Sequence, residues 1–130
     1  MGRVYEGRCP ECGYHRELFL GGGMMSVNLE LSSGVLPSHE QDMIRGMRDR
    51  KQIAGFHVEN YLVECPNCQE IMGNTMIEVT DQRGDRHVFG QYCGSCGKKL
   101  EIHRENEKAP LTCPKCREGI MVFDECGLWD

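Results

Sequence analysis

Four Cys-x-x-Cys pairs punctuate this chain: Cys9 and Cys12, Cys65 and Cys68, Cys93 and Cys96, Cys113 and Cys116. Two thiolates at this spacing wrap a tight turn and converge on one metal ion, and two such turns complete a tetrahedral four-sulfur shell. Eight paired cysteines therefore predict two ions, zinc by preference and iron as the alternative. A closed shell leaves no position for water or substrate, so the expected metal role is structural, and no catalytic or other cofactor-binding residue is predicted. Cys126 stands outside the scheme. Its plain reading is a small, partly buried apolar residue; the sharper one is a spare ligand or reactive thiol.

The elements that must hold these turns repeat a simple unit, a cysteine turn followed by a short apolar stretch. Leu18 to Leu20, Met76 to Val79, Leu100 to Ile102 and Ile120 to Phe123 follow the four turns in order. Pro10, Pro66 and Pro114 preset the turn after the first cysteine, and Gly13 and Gly97 follow the second. Glycine there lets backbone amides fold toward the sulfurs. Between Cys12 and Cys65, residues 24–31 alternate as a half-buried strand. A helix is expected over about 38–54, with Pro37, Ser38 and Gln41 matching a capping box. Met43, Ile44 and Met47 form its apolar face, and Gly55 is its stop. A strand over 58–63 leads to Cys65. Residues 75–80 and 86–92 read as a hairpin tipped by 81–85, and 99–103 with 108–112 as a shorter one.

Sixteen residues separate Cys96 from Cys113, within the usual zinc range of about 15–20. Sequential pairing is therefore favoured: Cys113/Cys116 with Cys93/Cys96, and Cys9/Cys12 with Cys65/Cys68. Nested pairing is the rival, because the hairpin around Gly84 also brings the second and third turns together. A cross-braced arrangement has no local hairpin behind it.

Cys9-Pro10-Glu11-Cys12-Gly13, Cys65-Pro66-Asn67-Cys68, Cys93-Gly94-Ser95-Cys96-Gly97 and Cys113-Pro114-Lys115-Cys116 resemble the knuckles of zinc-ribbon and rubredoxin-like proteins. With Tyr14 and Gly21-Gly22-Gly23 after the first knuckle, the chain also looks like small bacterial proteins carrying two zinc ribbons, a likeness that implies a fold and no activity. The run from Cys65 to Cys96 is similar in spacing to the zinc ribbon of elongation factors that stimulate transcript cleavage. That family carries two adjacent acidic residues at the hairpin tip; here Asp81 and Asp85 are separated by Gln82, Arg83 and Gly84. The resemblance thus implies ribbon architecture without the cleavage role.

The 130 residues are 39% hydrophobic, with 16 glycines and one tryptophan, a thin core that bound metal would staple. The fold class expected is mainly β, a small metal-stabilised α+β protein of two zinc ribbons with short hairpins and one inserted helix. Residues 1–73 would form the first ribbon with the helix, and 74–130 the hairpin and second ribbon, as one compact unit. The N-terminus lacks a signal-peptide stretch and no apolar run spans a membrane, so a cytoplasmic, thiol-reducing location is expected. The formal charge is −5, and two tetrathiolate zinc sites would take it to about −9. Nucleic acid is disfavoured as a partner on that balance, with Arg45, Arg48, Arg50, Lys51, Lys98 and Lys99 the first basic places to test. A non-catalytic module that docks a protein partner is the leading functional expectation, with Leu128 and Trp129 as contacts or as a cap on their own core. Nucleic-acid or transcription-machinery binding and a rubredoxin-like iron redox role are the alternatives. His57-Val58-Glu59 and Gly21-Gly22-Gly23 read as chance likenesses to deaminase and phosphate-loop motifs, and His15, His39, His87 and His103 as surface or turn residues.

Overall fold

Each cysteine turn is the bend of an antiparallel pair, and the computed structural model, which describes residues 2–22, 28–103 and 111–129, shows how the four bends are wired. The elements run β1 (Gly2–Arg8), β2 (His15–Leu20), α1 (Leu29–Ser33), α2 (Ser38–Asp49), β3 (Ile53–Cys65), β4 (Glu70–Asp81), β5 (Arg86–Phe89), β6 (Glu101–His103) and β7 (Val122–Trp129). The protein is mainly β, as the sequence indicates. The first turn joins β1 to β2 and the second joins β3 to β4. The third and fourth lie inside the short bridges Tyr92–Lys99 and Thr112–Ile120.

Two sheets result, ordered β2-β1-β7 and β5-β4-β3-β6. In both, the strand after a late turn returns antiparallel to the strand before an early one. Thus β7 lies along β1, from Arg8 opposite Val122 to Gly2 opposite Trp129, and β6 lies along β3, with Glu64 opposite Glu101. The chain is therefore one three-stranded unit inserted within another. The outer unit takes β1, β2 and β7; the inner takes β3, β4 and β6, extended by β5 and α2.

The inner sheet buries one face under α2. Ile44 packs with Leu36, Val58, Ile77, Val79 and Phe89, and Met47 lies at the margin. The buried Glu40 carboxylate accepts the Gly90 N–H (3.0 Å), which pins the helix to the end of β5. The units meet where Gly21 and Asn60 exchange backbone hydrogen bonds of 2.8 Å and the Asn60 side-chain amide donates to the Phe19 carbonyl (3.1 Å).

Several local expectations are corrected. Residues 29–33 form a helix and not a strand, because the Asn28 side chain accepts the Leu31 N–H (3.2 Å) and caps a helical turn; the rest of that predicted strand includes 24–27, outside the described residues. Among the described residues there are thus two helices, not one. The α2 N-cap is Pro37 without a side-chain cap bond, and Gln41 reaches instead to the Leu36 carbonyl (2.7 Å), so no capping box forms. The helix stops at Asp49, Lys51 turns left-handed (φ 54°), and Gly55 lies within β3. Met43 faces solvent at 55% exposure. The predicted second arm at 108–112 falls mostly outside the described residues, and β6 pairs with β3. No helix among the described residues is long and apolar enough to cross a membrane.

Candidate metal centres

All four knuckles are built alike. The N–H of the residue after the second cysteine donates to the carbonyl of the first: Gly13 to Cys9 (3.0 Å), Gln69 to Cys65 (2.7 Å), Gly97 to Cys93 (2.9 Å) and Arg117 to Cys113 (3.0 Å). The donor residue is left-handed each time, with φ of 77°, 59°, 74° and 65°. Gly13 and Gly97 take that conformation without strain, whereas Gln69 and Arg117 take it against the preference of their side chains. Sequence reading found the two glycines and missed Gln69 and Arg117. Their place directly after the second cysteine was the available signal.

This construction brings the eight predicted cysteines into two quartets, Cys9/Cys12/Cys113/Cys116 and Cys65/Cys68/Cys93/Cys96. The grouping is nested, and the sequential pairing expected from spacing is corrected. The physical reason lies in the returning strands. β7 carries the fourth knuckle back to the first along β1, and β6 carries the third to the second along β3. Sulfur–sulfur separations across the turns are 3.7 Å (Cys9–Cys116), 3.6 Å (Cys12–Cys113), 3.5 Å (Cys65–Cys96) and 3.9 Å (Cys68–Cys93). A tetrahedron with metal–sulfur bonds of about 2.3 Å has an edge of about 3.8 Å. Covalent disulfides, at about 2.05 Å, are far shorter, and all nine cysteines are free thiols. The quartets could each hold a metal ion and are compatible with zinc-ribbon-like sites.

In every pair the first cysteine is buried and the second is more exposed, so each quartet sits at a sheet end with one side toward solvent. Backbone amides supply partial positive charge. The Cys68 N–H donates to the Cys65 sulfur (3.3 Å), Lys115 to Cys113 (3.4 Å) and Gly119 to Cys116 (3.4 Å). Gly119 also packs so closely that a Cβ there would overlap the Cys9 sulfur.

These contacts split the thiols of each quartet. In the inner one, the Lys98 amide draws Cys96 down to about 6, while the Cys96 sulfur, burial and the sulfurs of Cys65 and Cys93 push Cys68 up to about 12. In the outer one, burial of Cys113 is outweighed by the amides of Cys116 and Lys115, which bring it to about 6. The Gly119 and Glu118 amides lower Cys116. Cys12 feels the Tyr14 amide pulling down, yet burial and the sulfurs of Cys113, Cys9 and Cys116 push it up to about 11. Four sulfurs this close do not all ionise unaided; a cation among them removes the obstacle.

Cys126 is exposed and not partly buried. It is the extra residue of a bulge, where Val4 faces Gly127 and Tyr5 faces Glu125. Trp129 turns onto its own chain, donating to the Leu20 carbonyl (2.9 Å) and standing edge-on to Phe19. Leu128 points outward at 59% exposure. His87 pairs with Asp81 at 2.9 Å. His103 is not a surface histidine, its side chain being only 17% exposed. Comparison with protein families, curated proteins and solved structures returns no match.

Proposed function

We propose that this protein is a zinc-binding structural module of two nested zinc ribbons, with Cys9, Cys12, Cys113 and Cys116 holding one ion and Cys65, Cys68, Cys93 and Cys96 the other. The observation that carries this reading is the set of sulfur–sulfur separations between 3.5 and 3.9 Å in both quartets. Four thiolates complete each shell, so the ions hold the knuckles rigid and perform no chemistry on a substrate. Free thiols throughout accord with a reducing compartment such as the cytoplasm.

The module's role is to dock a protein partner. Exposed Leu128, Val122 and Ile120 near the β7 edge support this over nucleic acid. The basic residues of α2 are largely neutralised in place, Arg45 by Asp42 and Arg48 by Glu30 and Asp49. Metal analysis of protein purified without added metal tests the core of the proposal. Two equivalents of zinc in colourless, redox-silent protein are expected. Red protein containing iron would replace this reading with a rubredoxin-like electron carrier, and metal-free folded protein would end it.

A further inference from the structure

The inner sheet carries a second kind of ligand cluster on the face where β6 lies along β3. Glu64 and Glu101 are direct cross-strand partners, and His103, two residues beyond Glu101, projects from the same face. Carboxylates placed directly opposite one another repel, so this pair calls for a positive charge between them. The third group is an imidazole, whose ring nitrogen can offer a lone pair to a metal ion. Its Nε2 is sealed from solvent and makes no hydrogen bond of acceptable geometry among the described residues, although Glu64 Oε2 lies 3.3 Å away. A buried ring nitrogen in that state lacks a partner it ordinarily has.

We propose that Glu64, Glu101 and His103 form a divalent-cation site distinct from the cysteine quartets. One ligand atom from each residue lies within 4.8 Å of the others. Metal–ligand bonds of about 2.1 Å span at most about 4.2 Å between two donors. His103 Nε2 and Glu64 Oε2, 3.3 Å apart, already lie inside that span, and closure asks only for the shifts that bring the third atom in. The exposed Glu101 is the member that can make them. One imidazole and two carboxylates are harder donors than thiolates and suit manganese, ferrous iron or zinc in an open shell completed by water. The ion would satisfy Nε2 and offset the facing carboxylates in one step.

Manganese is the probe of choice, because thiolate quartets select softer ions and the outcome stays readable whatever metal they hold. Protein as purified is titrated with Mn²⁺ and the free ion is followed by its paramagnetic resonance signal. One equivalent is expected to bind at submillimolar concentration. His103→Ala and Glu64→Gln should each weaken it by about tenfold or more while the metal content of the quartets is unchanged. Glu101→Gln, on an exposed side chain, repeats the test where folding is least at risk. No Mn²⁺ bound at millimolar concentration, or binding indifferent to all three substitutions, would overturn the site and leave His103 as an ion-pair partner of Glu64.

Discussion

The outer and inner units share one wiring, a hairpin bent at a cysteine turn and a third strand returning from a second turn, yet they close over very different lengths of chain. Cys65 and Cys96 are 31 residues apart, whereas Cys9 and Cys116 are 107 apart. Loop-closure entropy alone makes the longer closure costlier by about 1 kcal/mol. The larger difference is dependence. Cys9 and Cys113 pack in one cluster with Ile71 of β4 and, at its margin, Leu62 of β3, so the outer quartet is seated on strands of the inner unit. The inner quartet packs with Val63, Leu100, Met72 and Ile102, all its own. The same motif is self-sufficient in one place and dependent in the other.

The largest expected effect tests that asymmetry. A structural tetrathiolate site contributes on the order of 10 kcal/mol of coupled folding free energy. Cys65→Ser should therefore collapse the inner unit and take the outer ion with it. Cys113→Ser should release only the outer ion, leaving one equivalent bound and slow amide exchange in β3 and β4. Metal content and hydrogen exchange check both; identical behaviour of the two variants would break the comparison.

Next in size is the response to pH. Metal binding to the outer quartet must displace at least the proton of Cys12, whose thiol is held up near about 11. Each displaced proton makes affinity climb tenfold per pH unit, so competition with a chromophoric chelator should show at least that slope between about pH 7 and 9. The inner quartet should show it too through Cys68. A flat profile would mean the thiols are already ionised without metal.

Gly119→Ala should act on one unit alone. The added methyl group displaces the Cys9 sulfur, and outer-site affinity should fall by about tenfold or more with the inner site unchanged, as a site-resolved cobalt titration would show. The smallest effects should match across the units. Arg117→Gly and Gln69→Gly each relieve a left-handed non-glycine residue, and each should raise stability by about 1 kcal/mol in chemical denaturation of the holoprotein. A gain in only one would show that the knuckles are not equivalent.

Much of this was legible in the residues. The eight cysteines and the hairpin tipped by Asp81 and Gly84 follow from spacing and turn chemistry; the helix does begin at Ser38, but the capping box that pointed there does not form. What spacing could not give was the partnership of the knuckles, because that depends on two strands with weak patterns. In β1, Gly2 and Gly7 leave room for Trp129 and Phe123 of β7 to lie across the strand, so apolar cover comes from the partner and not from alternation within β1. In β7 most side chains face solvent, which erases the period-two signal. The stretch around Asn28 failed for the opposite reason. Its alternation was visible, but one side-chain cap outweighed it.

The nesting sets an order of events during synthesis. The inner hairpin and its returning strand can seize an ion while the later part of the chain is still being made. The opening pair, Cys9 and Cys12, must wait with bare thiols until Cys113 and Cys116 emerge a hundred residues later. Between the emergence of Cys96 and that of Cys113, with sixteen residues between them, the ribosome-bound chain would hold one loaded clasp and one empty half. A thiol-capturing reagent applied to nascent chains should label Cys9 and Cys12 within that window, while Cys65, Cys68, Cys93 and Cys96 are already silent.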